Sequence, residues 1–278
     1  MDERAVKCQR LANDIRMKMI DMTEYGNDTM HWGGSFSCAE IFSVLYSEFL
    51  NVKEKNIGFE KKDKFLLSKG HAALGAYATM NLMNLLSDEQ IATYQKDGSP
   101  ISELMEANEE LGFETSGGSL GINPSYGVGL ALLAKKKGYS YKTVVVTGDG
   151  EIDEGSVWEA IMAGSQYKLD NLTLIIDANT VQSDGFTADI MSWTNLEERL
   201  KSFGWNTISV NGHSCGELLK ALESHFEENH PKAIIANTTK GKGVSFFENN
   251  YLWHDRVLKG KELEQAKKEV ESNVAHGY

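Results

Sequence analysis

Proline is almost missing, with three residues in 278. Helix interiors are therefore rarely interrupted, since proline removes a hydrogen bond and clashes with the preceding turn. Cysteine is equally sparse. Cys8, Cys38 and Cys215 lie far apart and form no C-x-x-C pair, which argues against a disulfide framework or a zinc site and fits a reducing compartment. Basic charge is in deficit: 28 Lys and Arg face 40 Asp and Glu, a formal net charge of −12. A nucleic-acid partner would call for a basic face, so none is expected. No apolar run approaches the ~18 residues of a spanning helix. The amino terminus, MDERAVKCQR, is charged where a signal peptide is apolar. These absences lead to the expectation of a soluble, cytoplasmic protein that binds neither nucleic acid nor membrane.

What is present is an alternation. Hydrophobic residues make up 41% of the chain, enough for a sizeable core. Cys8, Leu11, Ala12, Ile15 and Met19 recur at spacings of three and four, which predicts an amphipathic helix over 4–20. Short β-branched runs at 64–68, 143–147, 172–177, 206–210 and 232–238 read as strands buried on both faces. Helical patterns at 71–86, 124–137, 155–168 and 195–203 separate them, with a polar, loop-like region near 96–119 and a charged tail from about 259. Strand and helix alternating in this way predict an α/β fold with a mainly parallel, doubly wound sheet. With no repeat, low-complexity tract or linker, residues 1–278 are expected to form one domain.

Ligands of such sheets bind outside the carboxyl ends of the strands. The segment VVVTGDGEIDEGSVWEA (144–160) runs a buried strand into Asp149 between two glycines and on to a helix start near Gly155. A carboxylate beside backbone N–H groups and a helix amino terminus suits a phosphate held through a divalent metal. The next strand ends in Asp177-Ala178-Asn179-Thr180-Val181, which supplies further oxygen donors. Asn179 follows Asp149 by thirty residues, the length of one strand–helix–strand unit, so adjacent strand ends meet. A Gly-Asp-Gly alone is also a common turn signal.

The whole stretch GDGEIDEGSVWEAIMAGSQYKLDNLTLIIDANTVQSDG (148–185) is far more specific and resembles the thiamin-diphosphate motif as transketolases carry it. HWGGSFSCAEIFSVLY (31–46), LSKGHAALGAYA (67–78), GGSLG (117–121) and TTKGKGVSFFENNYLWHD (238–255) resemble further blocks of that family, in the same order. VNGHSCGELLKAL (210–222) resembles its Asp-Gly-His segment, with Asn211 in place of the aspartate. The resemblance implies that Asp149 and Asn179 hold Mg2+ through side chains and Val181 through its carbonyl. It places Gly150 against the diphosphate, and His71, Asn179 and His254 near the cofactor. Gly118, Ser119 and Leu120 would lie against its body, Glu154 would support the cofactor site near a subunit interface, and His31 would meet the substrate. Histidine gives and takes protons near neutrality, so catalytic roles for His31, His71 and His254 agree with the chemistry.

Other residues carry plainer readings. His213 is read as part of a turn at the sheet edge, and His225 as an ordinary surface or supporting histidine. Glu151 and Asp153 read as helix-start carboxylates favoured by the dipole. Lys240 and Lys242 read either as phosphate contacts or as a solvated loop.

Thiamin chemistry also requires a glutamate to protonate the aminopyrimidine. Transketolases hold it in a second, pyrimidine-binding domain that these 278 residues do not include. The resemblance therefore implies the amino-terminal subunit of a split transketolase, completed by a partner subunit in an A2B2 assembly and acting on sugars or sugar phosphates. Three departures bear on specificity. GSLGIN (118–123) replaces the usual GSLGQG through Ile122 and Asn123. The family's Gly-His-Pro block falls on Glu103-Leu104-Met105, which loses a donor-binding histidine, and Asp255 follows His254 where glycine is usual. A thiamin enzyme of 2-oxo acids, acyloin-forming or dehydrogenase-like, and a non-catalytic relative remain as alternatives.

Overall fold

The structure is a computed structural model that describes residues 2–26, 29–52, 57–192, 194–224 and 227–276. His225 lies outside the described residues. Five strands, β1 (Lys64–Leu67), β2 (Thr143–Gly148), β3 (Leu172–Ala178), β4 (Asn206–Asn211) and β5 (Lys232–Asn237), form one sheet in the order β1-β2-β3-β5-β4. All four neighbouring pairs are parallel. The expected α/β class and each expected strand are found, with ends shifted by one residue at most. β4 departs from expectation on burial: it stands at an edge and alternates between covered and open positions, rather than being buried on both faces.

The two faces of the sheet are read off the strands residue by residue. Phe65, Leu67, Val144, Val146, Ile175 and Ile234 join one core, while Leu66, Val145, Leu174, Ile176, Ala233 and Ile235 join the other. Successive side chains of a strand point to opposite faces, so a continuous apolar run feeds two layers at once. The first layer holds the Glu3–Asp21, Trp32–Ser37, Ala39–Val44, Ala73–Leu82 and Cys215–Glu223 helices. The second holds Asn123–Lys137, Gly155–Gln166 and Leu196–Ser202.

Two helical assignments differ from expectation. Residues expected as a charged tail form the Gly260–His276 helix, whose Ala266 and Val270 are buried against the first layer. Its charged residues form the outer face, with Lys267 Nζ 3.4 Å from Asp21. The pattern over 71–86 becomes a 3-10 turn at Gly70–Ala72 and a helix over Ala73–Leu82. Helix over Trp32–Ser37 and Ala39–Val44 has no signature in the sequence, because every side chain there is buried and the polar face that marks helical periodicity is missing.

The crevice that positions a site follows from connectivity. After β3 the chain passes to Leu196 and Leu200 in the second layer, whereas after β5 it passes to Val244 and Phe247 in the first. β3 and β5 are neighbours, so their outgoing chains part and leave an opening at their carboxyl ends.

Candidate active site at the carboxyl end of the sheet

Asp149 follows directly on β2 and is almost fully buried, at 6% exposure. Its Oδ1 accepts from Gly150 N at 2.9 Å and its Oδ2 from Thr180 N at 2.6 Å and Thr187 Oγ1 at 3.2 Å. None of these donors is charged. Burial, with the nearby Asp177 charge, pushes the Asp149 carboxyl above its ordinary range. A buried carboxylate held by neutral donors is a natural ligand for a hard cation.

Asn179 and Val181 stand beside it after β3. Asn179 Oδ1 accepts from Val181 N at 3.1 Å and its Nδ2 donates to Asp177 Oδ2 at 2.8 Å. Thr180 between them takes φ +66°, the left-handed turn that folds this loop back onto Asp149. Carboxylate, amide and carbonyl oxygens are thus gathered, a donor set that suits a small divalent ion. The Val181 carbonyl already has a cationic partner, however: Lys240 Nζ donates to it at 2.8 Å and to the Gln182 carbonyl at 3.0 Å. Gly150, expected against a diphosphate, packs on Gln182, whose side chain lies 2.9 Å from where a Cβ would stand.

Two lysines and a second carboxylate complete this end. Asp177, the last acidic residue of β3, has no exposure and accepts from Lys69, Thr238 and Asn179, and from Ser37 Oγ at 2.7 Å. Burial alone would raise its pKa, but the paired Lys69 ammonium outweighs that and holds it down at about 2. Lys240 is buried without such a partner, and burial together with the Lys69 charge lowers it to about 7.

The histidines converge next to Lys240. The rings of His31, His71 and His254 have centroids 5.6 Å (His31–His71), 5.3 Å (His31–His254) and 5.3 Å (His71–His254) apart. Lys240 Nζ lies 2.9 Å from His254 Nδ1, so one ammonium links the Val181 carbonyl to this cluster. Burial lowers all three rings; nearby cations lower His71 and His254 further, the latter to about 3, while at His31 the Asp255 charge works against burial and Lys240. They are neutral at physiological pH. Gly33 and Gly34 make the approach possible. A Cβ on Gly33 would lie 2.8 Å from Lys240 Cε, and one on Gly34 would lie 3.1 Å from His71 Cδ2.

The glycine loop closes the other side. Gly117 is packed so tightly on Gly70 that a Cβ there would stand 2.4 Å from Gly70 Cα, which fixes the loop against the turn carrying His71. Gly118 has φ +108° and abuts Leu104, while Ser119 is exposed and Leu120 half-buried. Glu154 is exposed at the start of the Gly155–Gln166 helix and touches Gly121.

Several residues have roles that sequence reasoning missed. Glu151, read as a helix-start carboxylate, is buried and ties three segments together: it accepts from Ser68 Oγ, from Gly121 N at 2.8 Å and from Gly148 N at 3.3 Å. His213 is more than a turn residue. Its Nδ1 lies 3.0 Å from the buried Glu40, which also pairs with Arg16 at 2.7 Å, and its Nε2 accepts from Thr239 N at 2.8 Å. It thereby braces the loop that carries Lys240. A cavity of about 1250 Å3 opens beside Arg16, Glu40 and His213, away from the histidine cluster. The three converging imidazoles and Lys240 meet at the cluster and not at this cavity. Lys69 and Asp177 had one visible signal, charged residues at the ends of otherwise apolar strands.

Parallel sheet, strand-end carboxylate and converging cations define an α/β protein built to hold a phosphate-bearing cofactor. Comparison with known proteins says which. Residues 7–276 match the family "Transketolase, thiamine diphosphate binding domain", and the chain belongs to the transketolase family. It is 36% identical to an apulose-4-phosphate transketolase subunit of Phocaeicola vulgatus, over 97% of this chain and 96% of that one. It is 32% identical to a 6-deoxy-6-sulfo-D-fructose transketolase subunit of Clostridium sp. (strain MSTE9), over 99% and 100% of the two chains. Among solved structures, transketolase from Campylobacter jejuni superposes with a TM-score of 0.86 at 29% identity, covering 98% of this chain and 43% of that one. The chain thus spans less than half the length of the solved transketolases that it matches.

Proposed function

We propose that this chain is the diphosphate-binding subunit of a two-component transketolase, all of it acting as one domain in the cytoplasm. It transfers a two-carbon ketol unit from a ketose or ketose phosphate to an aldose, using thiamin diphosphate and Mg2+. A second chain, carrying the pyrimidine-binding domain and its activating glutamate, completes the site in an A2B2 assembly. The observation that carries this reading is Lys240, which reaches the Val181 carbonyl and His254 at once and so joins the metal-side oxygens to the histidine cluster. Relatives of matching length that are themselves named as subunits of a transketolase support the need for a partner.

The geometry supports the following roles. Asp149, Asn179 and Val181 would hold the magnesium, with Lys240 leaving the Val181 carbonyl to take a phosphate oxygen instead. Lys240 would supply positive charge for the diphosphate, and His71 and Gly118–Leu120 would flank the rest of the cofactor. When bound, the cofactor supplies a carbon nucleophile and an electron sink for breaking the bond next to the donor carbonyl. Where Lys240 is an ammonium it can only donate to His254 Nδ1, which would put the proton of the neutral ring on Nε2. There it can donate to an oxygen on which negative charge develops. His31, at the outer side of the cluster, can exchange a proton with a substrate hydroxyl. Glu154, exposed beside Gly121, would support the cofactor site near the partner subunit.

The test is ketol transfer by the chain co-expressed with its pyrimidine-domain partner, with xylulose 5-phosphate and ribose 5-phosphate as a first substrate pair and Asp149→Ala as control. Activity should require both chains, cofactor and magnesium, and vanish in the variant. A stable complex that binds no thiamin diphosphate would reject the proposal.

A further inference from the structure

The place of Lys240 is set by the anchors of its loop. Thr238 donates through N to the Ala178 carbonyl at 3.2 Å and through Oγ1 to Asp177, Gly241 N donates to the Gly33 carbonyl at 3.0 Å, and the Lys240 carbonyl accepts from Asn249 N at 2.9 Å. Thr239, the residue just before Lys240, is anchored differently. Its N–H goes to a side chain, His213 Nε2, at 2.8 Å.

That bond fixes the state of the imidazole. A backbone N–H only donates, so Nε2 carries no proton, and the one proton of the neutral ring sits on Nδ1, 3.0 Å from Glu40 Oε2. Glu40 is buried, which would raise its pKa, but the Arg16 charge and the His213 hydrogen bond outweigh burial and hold it at about 2. A carboxylate on one ring nitrogen orients an imidazole and raises the basicity of the other nitrogen. Nε2 is thereby a strengthened acceptor for Thr239. Arg16 carries the same network to the opposite wall: it grips Glu40 at 2.7 and 2.8 Å and donates to the Phe36 carbonyl at 3.1 Å, on the Trp32–Ser37 helix whose Gly33 backs the Lys240 side chain. Asn211 Oδ1 accepts from His213 N at 3.0 Å, which keeps the turn that presents the ring.

Building on the ketol-transfer reading, in which Lys240 meets the diphosphate, we propose that His213 is a positioning residue of the cofactor site. Held by Glu40 and Arg16, it fixes the Thr239 N–H and so the point at which Lys240 Nζ is offered to a phosphate oxygen. The ring is half-buried and borders the cavity of about 1250 Å3, so a replacement side chain meets open space on one side.

The test is calorimetric binding of thiamin diphosphate to the magnesium-saturated two-chain complex, with two amides that separate the functions of the ring. In His213→Asn the amide takes the place of Nδ1 and keeps the bond to Glu40 alone; in His213→Gln it reaches the place of Nε2 and keeps an acceptor for Thr239. His213→Asn should weaken binding about tenfold, the worth of one hydrogen bond, and His213→Gln by at most about threefold. Combined with Lys240→Met, His213→Asn should cost nothing further, because its effect passes through Lys240. A general loss of structure would persist in that background. No loss in His213→Asn, an equal loss in His213→Gln, or an undiminished loss beside Lys240→Met overturns the role of His213 alone. If His213→Asn folds poorly, His213→Gln decides: binding near that of wild type upholds the role, and a tenfold loss overturns it. A wild-type complex that binds no thiamin diphosphate overturns the ketol-transfer reading and this role with it. The predicted pattern of binding in a complex that transfers no ketol unit upholds the role and overturns the assigned reaction.

Discussion

Lys69 and Lys240 are both buried at the carboxyl end of the sheet, on opposite terms. Lys69 faces Asp177, a carboxylate with no exposure that accepts three further hydrogen bonds, and the pair is electrically complete. Asp177 raises the Lys69 pKa against the pull of burial. Lys240 faces two carbonyls and an imidazole nitrogen, which solvate an ammonium without neutralising it, and its pKa falls to about 7. A buried charge persists where a partner compensates it; otherwise the protein bears the desolvation cost. Lys69 is thus part of the scaffold, and Lys240 is held ready for an anion.

The sharpest way to break this contrast is Asp177→Ala. It leaves the Lys69 ammonium buried and alone, and should cost about 3–5 kcal/mol of stability, read from urea unfolding of the isolated chain. Lys240→Met should instead leave the apo chain as stable as wild type or more so. In the two-chain enzyme it should weaken thiamin diphosphate binding by about 10–100-fold, the worth of a hydrogen bond to a charged group. Equal destabilisation by the two substitutions would erase the distinction.

Acid should act next. His254 has a folded pKa of about 3, below its ordinary value near 6.5, so between those values the unfolded chain binds more protons than the folded one. Stability should therefore fall as pH drops from 6.5 toward 3, by up to about 1.4 kcal/mol per unit from this ring. Asp177 and Glu40, both held at about 2, add a loss of the same sign below about pH 4. His254→Asn should flatten the upper part of the curve in a pH series of chemical denaturation, and an unaltered slope would show that the ring is not held neutral. The smallest effect is expected of Gly33→Ala. Its Cβ would stand 2.8 Å from both Cγ and Cε of the buried Lys240 and force that side chain to shift, costing about 1 kcal/mol in stability, the low end for overpacking, and a few-fold in cofactor affinity.

Legibility in the sequence follows locality. The Asp149–Asn179 spacing is readable because a strand–helix–strand unit has a nearly fixed length, and β2 and β3 pair in the expected parallel register. The three histidines are readable only through their motif context. Glu103 carries no signal except as the neighbour of Leu104, because its partner His31 is 72 residues away and nothing in the intervening chain marks the contact. Glu151 misleads for a related reason. A carboxylate in the first turn of a helix has a local explanation, and the contacts that actually bury it come from Ser68 and Gly121. The Gly260–His276 helix is hidden by its charge, since among the described residues its apolar side is marked sparsely, by Leu263, Ala266 and Val270.

By itself the sequence determined the layers of this protein and the strand end where its chemistry belongs. Apolar periodicity and glycine placement act over a few residues, and the parallel α/β arrangement follows from them. Only the tertiary structure decided which charges face each other: Lys69 toward Asp177, Lys240 toward carbonyls, Glu103 and Asp255 toward His31. Those pairings join segments far apart in the chain, and Coulomb energy in a buried site depends on distance and desolvation, which exist only once the chain has folded.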